Sequence, residues 1–275
     1  MEVHETAFVT SAFRAMHVLL SKDEFAHLWL NDRVQHWADT YLSTVTGEES
    51  AAHSMRNRYF LDSIHRLFKD GNIEYLINFG CGFSMYPYLL PHGLKHIEID
   101  KPEVIRHKDQ KTELWEDQGI LPLRNIVRIP CDFSENYEKE LIGKINDIKK
   151  NSPCFILLEG VLFFLTREEM LRLFQLFNTL QKQGDRIGSV SFRAKDTESK
   201  AFALLLDFMK KENPHGTEEA RYQTVEEKFY KSLPGYELVD QQDFFSLSKS
   251  YQHQPSATQD MIINEQFYQL QKTRP

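Results

Sequence analysis

The chain has 275 residues, of which 41% are hydrophobic and 12% aromatic, enough for one sizeable core and too apolar for a disordered segment. Its formal charge is −7, and Lys and Arg are scattered rather than gathered into a stripe, which excludes an electrostatic footprint for nucleic acid. No run approaches the about 18 apolar residues of a membrane span, and Glu2, His4 and Glu5 stand where a secretory signal needs positive charge. A cytoplasmic protein with no membrane partner is the expectation. Cys81, Cys131 and Cys154 lie too far apart for a disulfide framework or a zinc ribbon, so reduced thiols are expected.

In chain order, Ser11–Leu20, Asp23–Trp37 and Met55–Phe68 read as helices, with a break at Gly47-Glu48-Glu49-Ser50. Ile73–Phe79 is the first strand signal, ending in Gly80-Cys81-Gly82 and followed by a modest helix before Pro91-His92-Gly93. Strand and helix signals then alternate. Lys95–Asp100 reads as a strand, Glu103–Gln118 as a helix, and Asn125–Pro130 as a strand closing on Cys131-Asp132-Phe133. Helix Glu138–Lys150, buried strand Cys154–Glu159, helix Arg167–Gln181 and strand Ile187–Arg193 follow. Such alternation implies right-handed crossovers and a mostly parallel α/β sheet covered on both faces. Helix Ser199–Lys211, a turn at Asn213-Pro214-His215-Gly216 and helix Val225–Leu233 break that rhythm. Segments around Tyr236–Val239 and Gln259–Leu270 suggest antiparallel edge strands. There is no internal repeat and no linker long enough to divide the chain.

Ligands of open parallel sheets bind beyond the carboxyl ends of the strands, so the residues just after each strand carry the most information. Here they are Gly80 and Gly82, then Asp100, Asp132, and Glu159-Gly160. Glycine lets backbone approach a ligand without a Cβ in the way. Asp100 follows Gly82 by 18 residues, close to the ~20 at which an acid meets a ribose in nucleotide folds. A dinucleotide fingerprint wants Gly or Ala at position 85, where Met85 stands, and no phosphate-cradling Lys-Ser or Lys-Thr pair follows a glycine loop. A nucleoside without phosphates therefore fits better than a nicotinamide dinucleotide.

In a structural reading, Asp100 and Asp132 are helix N-caps, and Glu159, directly after a buried strand, must have a partner because an unpaired buried charge costs several kcal/mol. Eleven histidines show no metal-binding spacing. No Ser-His-Asp or Gly-x-Ser-x-Gly arrangement appears either.

Several stretches together resemble the leucine carboxyl methyltransferase family and its bacterial O-methyltransferase relatives linked to polyketide biosynthesis. They are Glu5-Thr6-Ala7 with Arg14-Ala15, the Asp23 region, Arg58 with Asp62, Ile77 to Gly82, Ile97 to Pro102, Cys131-Asp132-Phe133 and Leu158 to Leu162. The resemblance runs to about residue 165; beyond it only the general layout is similar. It implies a Rossmann-like methyltransferase fold binding S-adenosylmethionine. From the chain's own pattern, N-terminal helices are expected over residues 1–70, a cofactor-binding core over 71–195, a helical lid over 196–235, where the strand–helix rhythm is interrupted, and edge strands over 236–275. The resemblance further implies that Arg58 meets the methionyl carboxylate, Gly80, Cys81 and Gly82 pass beneath the cofactor, and Asp100 holds the ribose. Asp132 and Phe133 would flank the adenine, Glu159 would lie near the methionyl amine, and Arg14 would contact cofactor or acceptor. One departure stands out: the bacterial relatives carry an acid and an arginine where this chain has Phe83-Ser84-Met85-Tyr86.

Methyl transfer from a sulfonium relies on positioning, and a carboxylate acceptor, with a pKa of ~4, needs no base. No base stands out in the sequence, although Tyr86, His92 and Tyr222 are candidates. The absent base together with the resemblance implies a carboxylate acceptor on a small molecule, a polyketide-like compound or a chain terminus, fixed by Arg193 or Arg14, with a hydroxyl as the alternative. A non-catalytic cofactor-binding sensor or scaffold is the competing class, and the altered 83–86 run is what favours it.

Overall fold

The computed structural model describes residues 6–212 and 222–273. The acidic N-terminal residues and the Asn213–Gly216 turn read from the sequence lie outside these. Helices α1 (Thr6–Met16), α2 (Val18–Ser21), α3 (Asp32–Thr44) and α4 (Glu49–Lys69) precede β1 (Tyr75–Phe79). Then come α5 (Tyr86–Leu89), β2 (Lys95–Asp100), α6 (Pro102–Asp117), β3 (Ile126–Pro130), α7 (Glu138–Lys149), β4 (Cys154–Leu158), α8 (Arg167–Leu180) and β5 (Arg186–Ser191). Helices α9 (Lys200–Glu212) and α10 (Glu227–Lys231), strand β6 (Tyr236–Asp243), helix α11 (Phe244–Ser250) and strand β7 (Gln266–Lys272) complete the chain.

The strands form one seven-stranded sheet in the order β3-β2-β1-β4-β5-β7-β6. Strands β1 to β5 are parallel; β7 runs antiparallel to β5, and β6 antiparallel to β7. Of the two late strands, only β6 is an edge. Strand β7 is sandwiched between β5 and β6, and the stretch before it, Gln259–Met261, is a short 3-10 turn rather than strand.

Alternation along the central strands builds two cores. Tyr75, Ile77 and Phe79 of β1, with Cys154, Ile156 and Leu158 of β4, point to a face covered by α7 and α8. Leu76, Phe155 and Leu157 point to the opposite face and pack on Met55, Phe60 and Ile64 of α4. The neighbour of Leu76 on that second face is Asn78, a buried polar residue at the end of the strand.

Two sequence-derived boundaries shift for local reasons. The Asn31 side chain accepts a hydrogen bond from the Val34 amide and starts α3 there, so residues 24–31 form turns instead of extending the Asp23–Trp37 helix. The expected break at Gly47–Ser50 is only partly a break, because Glu49 and Ser50 already belong to the first turn of α4, a buried helix of 21 residues. Helices α1, α3 and α9 join in a third cluster, in which Phe13, Tyr41, Phe202 and Phe208 are buried. It caps the carboxyl ends of the central strands from one side.

Candidate functional site

The strand order reverses between β1 and β4, the place where an open parallel sheet leaves a crevice. Both loops at that crevice have backbone that suits glycine. Gly80 has φ of +66°, and a Cβ there would stand 2.1 Å from Val161 Cγ2. Gly82 has φ of +44° and open space around it. The Gly80–Gly82 turn is tied to β2: the Gly80 and Cys81 amides donate to the Ile99 carbonyl, and the Gly82 amide donates to Asp100 Oδ2 at 2.7 Å. Asp100 Oδ1 accepts from the Lys101 amide at 2.7 Å. Burial pushes the Asp100 carboxyl above its ordinary range, partly offset by these two amides.

This geometry separates the two glycines experimentally. Gly80→Ala is expected to lose roughly 2–4 kcal/mol of stability, the sum of a left-handed backbone penalty and overpacking against a stiff β-branched side chain. Gly82→Ala meets nothing within 4 Å and is expected to lose only about 1 kcal/mol. Urea unfolding of both variants measures the difference, and equal losses would contradict the role of Val161.

Beside the turn lies a cavity of about 390 Å³ lined by both charged and apolar residues. Its polar wall contains Arg14, Glu49, His53, Arg56, Glu159 and Glu265, and its apolar wall includes Phe163, Phe192, Leu205 and Met209. Arg56 is the hub of the polar wall. Its Nε donates to Glu159 Oε1 at 2.7 Å, and its Nη1 donates to Glu265 Oε1 and Oε2 at 2.7 and 2.8 Å. Tyr86 donates its hydroxyl to Glu159 Oε2 at 3.0 Å. Arg14 is held by Asp23 at 2.7 Å and also donates to Ser11 Oγ and the Phe83 carbonyl.

Glu49 Oε1 is paired with His53 Nε2 at 3.1 Å, one helical turn away. Burial, reinforced by Glu265 and opposed by Arg56, pushes the Glu49 carboxyl up to about 8. Burial, together with Arg56 and Arg14, holds the His53 imidazole well below its ordinary value, so it is neutral. Two buried atoms of the cavity's lining residues, Asn78 Oδ1 and His53 Nδ1, have no hydrogen-bond partner among the described residues.

The structure brings Arg14, Gly80, Cys81, Gly82 and Glu159 to this cavity. It does not bring Arg58. That side chain points away, donating to Asp62 at 2.6 Å and lying 5.6 Å from the Tyr251 ring. The arginine two residues earlier, Arg56, faces the cavity, because two residues along a helix turn the side chain by about 200°.

Asp132 lies beyond Asp100, in a separate hollow of about 620 Å³ shared with Lys101 and Cys131. It accepts hydrogen bonds from the Ser134 amide and hydroxyl. Phe133 is buried in the core against Phe79 and Tyr137, not on the surface of that hollow. The N-cap reading of the two aspartates does not hold, since the residues at the caps of α6 and α7 are Lys101 and Tyr137.

Of the other candidates, Arg193 is occupied by Asp196 through Nε and Nη2 at 2.8 and 2.9 Å and does not line the cavity. His92 is exposed in the loop before β2, at the opposite end of the sheet. Tyr222 stacks on Phe163 with ring centroids 5.8 Å apart, behind the apolar wall. Tyr86 is fully buried, and burial together with Glu159 drives its phenol well above its ordinary value, which removes it as a base.

The altered 83–86 run has a structural account. Phe83 stacks on Phe8 at 4.1 Å, Trp29 donates to Met85 Sδ at 3.1 Å, and Tyr86 reaches Glu159, so these residues lock the N-terminal helices onto the glycine turn. Another hollow, of about 550 Å³ between Trp29, Trp115 and α6, lies outside the glycine turn and holds no comparable convergence of buried charge.

Among the described residues, no group of His, Cys, Asp and Glu is placed to hold a metal ion, and no helix is long and apolar enough to cross a membrane.

Comparison with known proteins gives a consistent picture. The sequence pattern of the leucine carboxyl methyltransferase family matches residues 7–178. A protein of Mycobacterium bovis (strain BCG / Pasteur 1173P2), provisionally named an S-adenosyl-L-methionine-dependent methyltransferase, is 24% identical over 207 residues, covering 69% of this chain and 65% of the relative. A protein of Mycolicibacterium paratuberculosis with the same provisional name is 26% identical over 203 residues, covering 67% and 63%. The chain thus spans somewhat under two thirds of the length of these relatives. Among solved structures, a provisionally described methyltransferase from Thermobifida fusca YX shares the fold with a TM-score of 0.64 at 15% identity, covering 97% of this chain and 94% of the other.

Proposed function

Because the chain belongs to the leucine carboxyl methyltransferase family, we propose that it is an S-adenosylmethionine-dependent methyltransferase acting on an oxygen of a small-molecule acceptor. The observation that carries this reading is the Gly80–Gly82 turn, fixed to Asp100 at the switch point and lining the charged cavity, with the Asp132 hollow beginning at Lys101, the residue after Asp100. An elongated nucleoside with a charged amino-acid tail matches that sequence of surfaces.

The residues present fit such a cofactor. Asp100 uses one lone pair of each oxygen on backbone amides and keeps further acceptor capacity for ribose hydroxyls. Asn78 Oδ1, a buried acceptor without a donor among the described residues, lies in the wall where an ammonium would be received. Of the two arginines in this stretch of α4, Arg56 lines the cavity and Arg58 does not. When bound, S-adenosylmethionine supplies the methyl group on a sulfonium sulfur. The acidic lining complements that positive charge, and the apolar wall excludes water and seats the acceptor. Leu205 and Met209 extend that wall from α9, which supports reading the described part of 196–235 as a cover for the acceptor side.

Calorimetry tests the reading. S-adenosylmethionine is expected to bind and NAD is not, and Asp100→Ala is expected to weaken binding by ~1.5–3 kcal/mol through loss of charge-assisted hydrogen bonds. Tighter binding of NAD would overturn the cofactor class. Unchanged affinity in folded Asp100→Ala would overturn the ribose assignment.

A further inference from the structure

Three carboxylates border the cavity, and two of them are committed to Arg56. Glu49 is the exception: it contacts no arginine, its Oε1 is held by His53, and its Oε2 has no hydrogen bond among the described residues. Its relative exposure is 5%, yet it lines the cavity from the first turn of α4. The charged and titratable groups facing the Glu49–His53 pair are Arg56 on α4, Arg14 on α1, Tyr41 on α3, Glu159 after β4 and Glu265 before β7. Arg14 is neutralised by Asp23, and Arg56 already serves two carboxylates.

This lining also selects among acceptors. Among the lining residues Arg14 and Arg56 stand against Glu159 and Glu265, and Glu49 adds a third carboxylate that burial keeps protonated below about pH 8. Both arginines are already paired, Arg14 with Asp23 and Arg56 with Glu159 and Glu265, so the lining offers an anionic acceptor no unpaired cation, whereas a neutral one needs none. The opposite wall is aromatic and aliphatic.

Building on the methyl-transfer reading above, we propose that Glu49 is the general base of the site and that the acceptor is a neutral hydroxyl compound with an apolar frame. His53 is a positioning residue. Burial holds it neutral, and in the tautomer protonated at Nε2 it donates to Glu49 Oε1 and leaves Oε2 to the acceptor. A carboxyl titrating near 8 is matched to proton abstraction close to neutral pH, where a carboxylate of ordinary pKa is a weaker base. In the step itself, the acceptor oxygen bonds to the methyl carbon while the carbon–sulfur bond breaks and leaves its electron pair on sulfur. The hydroxyl proton passes to Glu49 Oε2, from which it exchanges with solvent after product leaves.

The test is carboxyl and imidazole NMR on the full chain labelled at Glu and His, in complex with S-adenosylhomocysteine. One carboxyl is expected to titrate near pH 8, to be sensed by the neutral His53 ring, and to vanish from the spectrum of Glu49→Gln. In that complex 4-propylphenol is expected to bind more tightly than 4-propylbenzoate at pH 7. Tighter binding of the benzoate overturns the acceptor class. A wild-type chain that does not bind S-adenosylhomocysteine overturns the methyl-transfer reading itself, whereas a chain that binds it while Glu49 titrates below pH 6 overturns this inference alone.

Discussion

Arg56→Ala is expected to destabilise the protein by about 3–5 kcal/mol, the usual cost of removing one partner from a buried ion pair. The size follows from what is left behind: Glu159 and Glu265, at 11% and 9% side-chain exposure, lose the cation that both share. The loss should depend on pH in a defined direction. Burial already raises the Glu265 carboxyl, and Arg56 is the largest influence pulling it down. Without Arg56 its folded-state value rises further above the unfolded ~4.3. A carboxyl raised in this way leaves stability intact below the unfolded value and removes it as pH climbs through the folded value. The gap between wild type and Arg56→Ala should therefore be smallest near pH 5 and widen toward pH 8. Arg58→Ala, whose side chain reaches only Asp62 and Tyr251 on the half-exposed face of α4, is the control; it should cost no more than about 1 kcal/mol. Denaturant melts of both variants at pH 5 and 8 decide the matter, and equal losses at both pH values would contradict the role of Arg56.

The arginine pair shows where sequence reading is sharp and where it is blunt. The glycine turn, Asp100 and Glu159 were legible because each follows a strand, and strand ends in a parallel sheet converge at one edge. Position along a strand then fixes position in space. On α4 the same logic fails. Arg56 and Arg58 stand in the same charged stretch, and only the rotation of the helix against the sheet determines which one reaches Glu159. Glu49 was hidden by its neighbours, since Gly47-Glu48-Glu49-Ser50 has the composition of a turn while the structure starts a buried helix within it. A helical phase does connect Glu49, His53 and Arg56 at steps of four and three, the spacing at which side chains share a helix face. That pattern was the available signal for the polar wall.

Glu265 carried no such signal. It is 209 residues from Arg56 in sequence and is brought in by the insertion of β7 between β5 and β6, a pairing that local pattern does not encode. The same holds for Glu98 at the centre of β2. Burial alone would raise its carboxyl, but Lys108 and Arg128 outweigh burial and hold it below the ordinary range. Both cations lie within hydrogen-bond distance, at 2.7 and 2.8 Å. Read from sequence, Glu98 is one more residue in an Ile-Glu-Ile-Asp strand; in the fold it fastens α6 and β3 to the strand that presents Asp100.

The strongest consequence of the Glu49 assignment is kinetic. With a hydroxyl acceptor, the rate of methyl transfer should rise about tenfold per pH unit below the Glu49 transition and level off above it, because only the ionised carboxylate can take the proton. With the carboxyl pushed up to about 8 by burial, that bend falls inside the range in which the enzyme can be assayed. Glu49→Gln keeps the size of the side chain and removes its basicity, so it should lower the rate by roughly 10²–10⁴-fold and erase the bend. Cofactor affinity supplies the control, because S-adenosylhomocysteine should still bind that variant if its loss is chemical rather than structural. The product gives a second reading of the same step: transfer to a hydroxyl leaves a base-stable methyl ether, transfer to a carboxylate a base-labile methyl ester. A carboxylate with a pKa of ~4 is ionised throughout the window and would give a rate flat from about pH 6 to 9. A labile ester formed at a flat rate, undiminished in Glu49→Gln, would return the acceptor to the carboxylate class and leave Glu49 as a buried acid that shapes the cavity wall beside His53.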